Sequence, residues 1–475
     1  MLVEFVNHAS LIVTAGNVRL IADPWLEGKV FHDGWALMAR SVMTFDDFKD
    51  ITHIWFSHEH PDHFLPDNLK KISPEHRRTI EVLFQETRDK KVIRYCKGIG
   101  FGKVTELPPR TWVKLGDQMH VMNCPSDTNW LADSWLCVRT PTSTLLNLND
   151  CGAIAELPAI KELVGGVDVL ATQFSYAEWV GNHDAVQHRL EYDRGVLKQL
   201  MLQIEVLKPR YVIPFASFSW FCTEENFYLN SEKNKIHDVC DYIRQNTNAE
   251  PIAMYPGDRW TIGEPHDTAS AIARYEHDAY QIADAALRPR TQRERVDAPT
   301  LIEAGQIFRR RMNALTYPLL VRARLAWNCY HNRAGFGVGR LANLAKLATL
   351  HVEPARLFLT DLGRAFTLDP SRGLQAADIP REACDIMLSS ASLMYCLKFD
   401  WGGETLYVNG CFQENGNRKD VAPMAYPNRF LNYCSLLRRA DLGEDLGLAA
   451  AFNKLMRRLR TPAVATRLLR RVMAP

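Results

Sequence analysis

The sequence predicts an α/β protein in which helices cover the outer faces of layered sheets, followed by a more helical C-terminal region. Two patterns predict this class. Short apolar runs separated by turns fill the first third of the chain, and longer helical patterns accumulate after them. Strands followed by helices favour packed layers around a shared core. A third observation, three histidines and an aspartate within six residues directly after an apolar run, predicts a metal site at a strand end.

The composition is that of an ordinary globular protein. The chain has 475 residues, of which 47% are hydrophobic, and its 57 basic and 55 acidic residues leave a net charge of +2. These values exclude a disordered or collagen-like chain, and the balanced charge argues against a nucleic-acid partner. At this length two or three domains are expected.

The N-terminus and the cysteines indicate a cytoplasmic protein. Met1-Leu2-Val3-Glu4 carries a charge where a secretory signal needs an apolar core, and no apolar run reaches the length of a membrane span. The 11 cysteines form no Cys-x-x-Cys pair, so we expect reduced and mostly buried thiols. Because no apolar run is long enough, we expect no transmembrane segment.

Turn signals divide the first half of the chain into a hairpin, further strands and one long helix. Ala9–Val13 and Val18–Ile21 flank a turn, and this hairpin ends at Asp23. The apolar run Ile51–Phe56 leads into the histidine cluster. Further strands are expected over residues 118–122, 135–139, 144–148, 167–171 and 209–214, with a helix over residues 190–207.

The pattern changes near residue 265. Residues 268–287 and 302–328 are rich in Ala, Arg and Leu at helical spacing. We therefore expect a catalytic domain over residues 1–265 and a mostly helical α+β domain with a basic tail over residues 266–475.

One hairpin is expected within that second domain. The apolar segments Leu393–Phe399 and Thr405–Phe412 flank the pair Gly402-Gly403. A Gly-Gly pair between two apolar runs is typical of a tight hairpin turn.

The segment His58-x-His60-x-Asp62-His63 carries the chemistry. Imidazole nitrogens and carboxylate oxygens are the ligands that zinc, iron and manganese take, at about 2.0–2.2 Å. Residues two apart point the same way in extended backbone, so His58 and His60 can share one ion. Asp62 and His63 can then turn toward a second ion and are the candidate catalytic residues. A polar loop with accidental histidines is the alternative.

Ser57-His58-Glu59-His60-Pro61-Asp62-His63 is similar to the metal-binding signature of the metallo-β-lactamase fold. Asn7-His8-Ala9-Ser10, Asp23-Pro24-Trp25 and Asn149-Asp150 stand in the order expected for that fold. The resemblance implies an αββα sandwich in which Asp150 bridges two metals, although Asp150 taken alone can also be a turn residue. His8 would lie behind or beside the metals, or serve as a cap or core residue.

The flanking segments resemble the catalytic part of CMP-N-acetylneuraminate hydroxylase. Asp23-Pro24-Trp25-Leu26-Glu27-Gly28, His63-Phe64 and Leu207-Lys208-Pro209-Arg210 carry this resemblance, which is clear over residues 1–220. UlaG-type lactonases and N-acylphosphatidylethanolamine phospholipase D share the metal motif but match the flanks less well. The resemblance therefore implies hydroxylation more than hydrolysis.

Two positions depart from the usual ligand set of the fold. Most members have a histidine between the cluster and the bridging aspartate, where this chain has Ser126-Asp127-Thr128-Asn129, and Ala216 stands where a final histidine is usual. Either Asp127, Asn129, His183 or His188 substitutes, or one metal keeps open positions. Open positions suit an iron that binds both O₂ and substrate, or a metal-bound hydroxide.

Together with these ligands, the resemblance implies a non-haem iron oxygenase, with two iron ions preferred, acting on a small polar substrate. The sialic-acid hydroxylase carries a Rieske cluster, which needs two cysteines and two histidines. The single Cys-x-His here is Cys329-Tyr330-His331, and no Cys-x-x-His follows. We therefore expect a separate electron donor, a reducing substrate or a di-iron core. The alternatives are a zinc- or manganese-dependent hydrolase of a phosphoester or lactone, and a catalytically silent binding subunit.

The C-terminal tail is strongly basic. Seven Lys and Arg residues and no acidic residue lie between Lys454 and Arg471. A basic amphipathic helix can dock on an acidic surface. An electron donor or an acidic carrier protein is therefore a candidate partner, and packing on the chain's own acidic domain is the alternative.

Overall fold

Two seven-stranded sheets form the centre of the protein. The computed structural model describes residues 1–87, 89–126, 133–314, 353–369, 371–415, 430–431 and 433–435. Asp127, Asn129, the tripeptide Cys329-Tyr330-His331 and the basic tail from Lys454 to Arg471 lie outside the described residues.

The first sheet begins with the expected hairpin, in which Ile12 stands opposite Ile21 in antiparallel register. Three strands continue this sheet in parallel on the far side of the hairpin. The spatial order of the seven strands is Arg259–Thr261, Leu2–Asn7, Ser10–Ala15, Val18–Ala22, His53–Trp55, Glu81–Gln85 and Lys103–Leu107.

The second sheet is antiparallel along the chain from Thr111 to Asn149 and parallel beyond it. Each strand expected from the sequence in this region overlaps one of its members. The spatial order is Glu250–Pro251, Tyr211–Phe215, Val169–Gln173, Thr144–Asn149, Ser134–Arg139, His120–Pro125 and Thr111–Lys114.

The two sheets pack face to face because alternate side chains of each strand point to opposite faces. Leu20 and Trp55 point inward into a core shared with the second sheet. Their neighbours Ile21 and Ile54 point outward into a separate cluster beneath the first helices. Across the core, Trp55 Nε1 donates a hydrogen bond of 2.9 Å to Asn123 Oδ1. Both faces of the first sheet are therefore buried.

Helices cover the outer faces and complete an αββα sandwich, which confirms the expected fold. Pro66–Lys71, Pro74–Thr79 and Lys91–Gly98 follow strands of the first sheet. Leu157–Val164, Val186–Leu207, Ile236–Asn246 and Thr268–Ala283 contribute buried side chains to the core of the second sheet. A smaller sheet of Ser219–Phe221, Trp35–Leu37 and Lys29–Val30 lies beside them.

The C-terminal part has a core of its own, which begins at Leu301. Its five strands are ordered Gly373–Ala377, Arg364–Asp369, Ala355–Leu359, Ile386–Leu388 and Phe412–Glu414. The helices Ala298–Ala314, Ser390–Lys398 and Gly402–Asn409 contribute side chains to that core. The division of the chain near residue 265 stays a prediction, and the helix Thr268–Ala283 beyond it packs on the first core.

The prediction of a hairpin around Gly402-Gly403 is wrong. Residues 390–398 and 402–409 are helical, and the strand begins only at Phe412. The glycines serve close packing instead of a turn. A Cβ atom on Gly402 would lie 2.5 Å from Cys396 Cα, and one on Gly403 would lie 2.2 Å from Cys434 Cβ. Glycine removes the side chain that would keep these backbone segments apart.

Within the described residues, no helix combines the length and the apolar character that crossing a bilayer requires.

Candidate metal centre

The histidine loop lies at one edge of the two sheets. It follows the strand His53–Trp55, and the backbone N–H groups of His63 and Phe64 donate to the His60 carbonyl at 3.0 and 2.7 Å. This tight turn folds His63 back toward His58. The second sheet reaches the same edge, because Ser134 Oγ donates a 2.6 Å hydrogen bond to the Ser57 carbonyl.

Two carboxylates of the second sheet arrive at this edge from neighbouring strands. Asp150 follows the strand Thr144–Asn149, and Asp133 precedes the strand Ser134–Arg139. These strands are antiparallel, so the end of one lies beside the start of the other. The local fold therefore places Asp133 and Asp150 together opposite the histidine loop.

The structure brings the side chains of this edge into two groups that could each hold an ion. One group is His8, Asp62 and His63, and the other is His58, His63 and Asp150. Within each group the ligand atoms all lie within 4.8 Å of one another. His63 Nε2 lies between the two groups, at 3.4 Å from both Asp62 Oδ2 and Asp150 Oδ2.

His60 lies next to these groups and turns its two ring nitrogens in different directions. Its Nδ1 lies 2.9 Å from His58 Nε2, in the direction of the second ligand group. Its Nε2 lies 3.0 Å from Glu404 Oε1, which belongs to the helix Gly402–Asn409. Asp133 Oδ1 lies 3.8 Å from His58 Nε2.

Asp23 and Ser57 fix the orientation of two of the histidine rings. Asp23 accepts hydrogen bonds from Ser57 Oγ at 2.7 Å and from His63 Nδ1 at 2.9 Å. The Ser57 hydroxyl has a single proton and gives it to Asp23, so it accepts from His58 Nδ1 at 2.9 Å. In their neutral forms His58 and His63 therefore both carry the proton on Nδ1 and present the lone pair of Nε2 to the centre.

Burial and neighbouring charges act in opposite directions on these histidines. Burial lowers the pKa values of His8 and His58, which favours their neutral, metal-binding forms. Burial also acts to lower the pKa of His63, but the carboxylates of Asp150 and Asp62 hold it well above its usual value. A bound cation would balance the negative charge of these carboxylates in place of the second proton on His63.

The donor atoms fit a metal ion. Oδ1 of Asp62 and Oδ1 of Asp150 are buried and have no hydrogen-bond partner among the residues that the structure describes. Burying a carboxylate oxygen without a partner costs free energy, and a coordinated cation removes that cost. The residues at this edge are therefore chemically suited to coordination by nitrogen and oxygen.

Two of the further ligand candidates lie elsewhere. His183 and His188 are exposed and belong to neither ligand group. Arg189, at the start of the helix Val186–Leu207, donates to the carbonyls of Asn182 and His183 and pairs with Glu232 at 2.6 Å. These contacts hold the preceding loop on the surface.

Sequence reasoning missed Asp133, Glu404 and the orienting role of Asp23. Asp133 stands directly before a strand, where a carboxylate can meet its neighbour's end, and this position was a usable signal. No comparable signal marks Glu404, because 344 positions separate it from His60. Ala216, at the place of the usual final histidine, is buried and donates its backbone N–H to the His8 carbonyl at 2.8 Å.

A cleft of about 640 Å³ opens beside His60 and Glu404. Its walls are mainly apolar and come from both parts of the chain, including Phe31, Phe64, Leu65, Val92, Tyr95 and Trp401. Trp401 is 41% exposed and stands on the C-terminal side. A concave, largely apolar site of this size with a few polar groups is typical of small-molecule binding.

Comparison with known proteins gives distant matches. No family model matches the sequence. Cytidine monophosphate-N-acetylneuraminic acid hydroxylase of Mus musculus is 23% identical over 285 residues, covering 57% of this chain and 49% of the relative. The chain thus spans about half the length of the curated relatives that it matches.

Among solved structures, a variant of CmlA β-hydroxylase matches with a TM-score of 0.38 and 15% identity, covering 55% of this chain and 53% of that one. Igni18, a metallo hydrolase of Ignicoccus hospitalis, matches with a TM-score of 0.38 and 16% identity, covering 56% of this chain and 99% of that one.

The architecture itself settles the fold. Two packed sheets lie between outer helices, and the loop His58–His63 stands at the sheet edge that Asp150 shares. The chain is therefore a metallo-β-lactamase-fold protein with a C-terminal α+β extension.

Proposed function

We propose that the protein is an oxygenase that hydroxylates a small organic substrate at a non-haem iron centre, with two iron ions preferred. The observation that carries this proposal is the composition of the ligand groups. Each contains two histidines and one carboxylate, and they share His63, whose single Nε2 lone pair serves one ion at a time: His8, His63 and Asp62 in one, and His58, His63 and Asp150 in the other. Two histidines and one carboxylate with open positions are characteristic of non-haem Fe(II) oxygenases.

Iron, when bound, would supply a redox-active ion with positions open to O₂ and substrate. The chain's own residues supply orientation. Asp23 and Ser57 hold the rings of His58 and His63 with Nε2 toward the centre. Asp133 adds a buried carboxylate 3.8 Å from His58, and its negative charge favours a cation at this position.

The cleft beside His60 is the proposed substrate site. Its apolar walls would exclude water and hold the body of the substrate, while His60 and Glu404 are the polar groups next to the ligand groups. The sequence predicts a polar substrate. Because the lining is mainly apolar, we expect that part of this substrate is apolar or aromatic.

The name of the mouse relative, a hydroxylase, supports oxygenation. An electron donor or carrier protein stays a proposal that follows from the need of an oxygenase for electrons.

A hydrolase is the second candidate. The two ligand groups lie on either side of His63, which can ligate one ion, so ions at the two positions would be neighbours. Neighbouring divalent ions can clamp a phosphoester and lower the pKa of bound water. Zinc or manganese would serve that chemistry, and the same ligands would hold them.

Metal reconstitution separates the two functions. Chelator-treated protein is loaded anaerobically with Fe(II), or with Zn(II) or Mn(II), and a His58→Ala variant is treated in parallel. O₂ uptake and a change in the visible spectrum are measured for the iron form, and hydrolysis of bis(p-nitrophenyl) phosphate for the others. We expect O₂ uptake that depends on His58. Hydrolysis by the zinc or manganese form, with no O₂ uptake by the iron form, would contradict the oxygenase.

A further inference from the structure

A side-chain pair joins the C-terminal part of the chain to the histidine loop. Glu404 Oε1 lies 3.0 Å from His60 Nε2, and the side chains are 6% and 17% exposed. Such a contact, shielded from water, is stronger and more directional than a surface ion pair.

The backbone around Glu404 is fixed on both sides. At the start of its helix, Gly402 and Gly403 allow the close approach to Cys396 and Cys434. At the end of the helix, Asn409 Nδ2 donates to the Phe31 carbonyl at 2.9 Å. The helix therefore holds Glu404 at a defined position over the histidine loop.

The chemistry of the pair determines the tautomer of His60. An ionised carboxylate can only accept a hydrogen bond, so His60 Nε2 must donate. With Nε2 donating to Glu404, Nδ1 is the ring nitrogen left for the centre. It donates to the lone pair of His58 Nε2 at 2.9 Å when it carries a proton, and it offers a lone pair to an ion that displaces that proton. Carboxylates that accept from the distal nitrogen of a ligating histidine fix its orientation and raise its basicity.

We infer that Glu404 is a positioning residue that orients His60, so that the C-terminal part of the chain completes the metal centre. This inference rests on the metal centre of the proposed function but not on its reaction. Glu404 acts through His60 and need not touch the ion. The contact between Glu404 and His60 also fixes the position of one wall of the cleft, because Trp401 directly precedes the helix that carries Glu404.

Cobalt binding tests the inference without substrate or O₂. Co²⁺ affinity is measured by chelator competition, together with the visible spectrum, for wild type, Glu404→Ala and Glu404→Gln. The glutamine variant retains an oxygen that accepts from His60 Nε2, whereas alanine removes the acceptor. Glu225→Gln is the matched control, because Glu225 accepts from Ser389 at 3.2 Å between the same two parts of the chain.

We expect Glu404→Ala to weaken the binding of one Co²⁺ by about 10–100-fold and to change its spectrum. Glu404→Gln and Glu225→Gln should stay close to wild type. In a His60→Ala background, Glu404→Ala should cause no further loss. Thermal unfolding of each variant identifies any loss that comes from misfolding.

Three results would overturn the inference. Unchanged Co²⁺ binding in Glu404→Ala would show that His60 does not need the carboxylate. Equal losses in the alanine and glutamine variants would show that the charge itself, and not the hydrogen bond, matters. A further loss in the His60→Ala background would show that Glu404 acts independently of His60. If instead wild type binds no Co²⁺, the metal centre itself fails.

Discussion

Replacing Asp23 by asparagine should switch the tautomer of His63. Asp23 is fully buried, and its Oδ1 accepts from the Ser57 backbone N–H at 2.7 Å. The amide oxygen of asparagine would stay at that position, which puts the NH₂ group where Oδ2 now accepts from Ser57 Oγ and His63 Nδ1. Two N–H groups cannot bond to each other, so the His63 proton should move to Nε2.

The magnitude follows from the position of His63. Its Nε2 lies 3.4 Å from Oδ2 of both Asp62 and Asp150, within both ligand groups. A proton on Nε2 makes that lone pair unavailable to an ion in either group. Loss of such an outer partner costs about 10–100-fold in metal affinity, or about 1.4–2.7 kcal/mol. The unpaired donors should also lower the free energy of unfolding by about 1–3 kcal/mol.

Chelator competition with Co²⁺ measures the affinity, and urea unfolding measures the stability. Asp278→Asn is a matched control, because Asp278 is also buried and accepts from Tyr255 at 2.8 Å. The control should lose stability but keep its metal affinity. Wild-type affinity in Asp23→Asn, or an equal loss in Asp278→Asn, would refute the orienting role of Asp23.

Three further substitutions test the metal ligands and the packing between the sheets. His58→Ala should lose the ion at one position and reduce activity by orders of magnitude while circular dichroism stays unchanged, and full metal content in this variant would remove His58 from the centre. Asp150→Asn should lose the second ion more than the first in metal analysis, because cations about 3.5–4 Å apart need the bridging charge; an unchanged stoichiometry would exclude that role. Trp55→Phe should lower the free energy of unfolding by about 1–3 kcal/mol, since Asn123 Oδ1 loses a buried donor across the sheets, with metal content unchanged. Unaltered urea unfolding would show that this bond adds no stability.

The sandwich could be predicted because its signals are local. Leu20 and Ile21 differ in the face that they occupy, and this alternation is written in consecutive residues. The histidine cluster is likewise local, with four donor residues within one loop. Short-range patterns of this kind determine the elements that hold most of the centre.

The parts that escaped prediction depend on contacts between distant segments. Glu404 meets His60 across 344 positions, and nothing in its own neighbourhood marks a functional carboxylate. Gly402-Gly403 matched a turn signal locally, but packing against Cys396 and Cys434 decides its structure. The residues next to a glycine do not predict which distant segment of backbone will pack against it.

Metal analysis of protein purified without oxygen shows whether this edge of the sheets holds ions. We expect two ions per wild-type chain, iron among them, with a visible spectrum that changes on exposure to O₂. We also expect a lower metal content in His58→Ala and Asp150→Asn. Wild-type protein that is folded and holds no metal, even after incubation with Fe(II), Zn(II) or Mn(II), would contradict a metal centre at this edge.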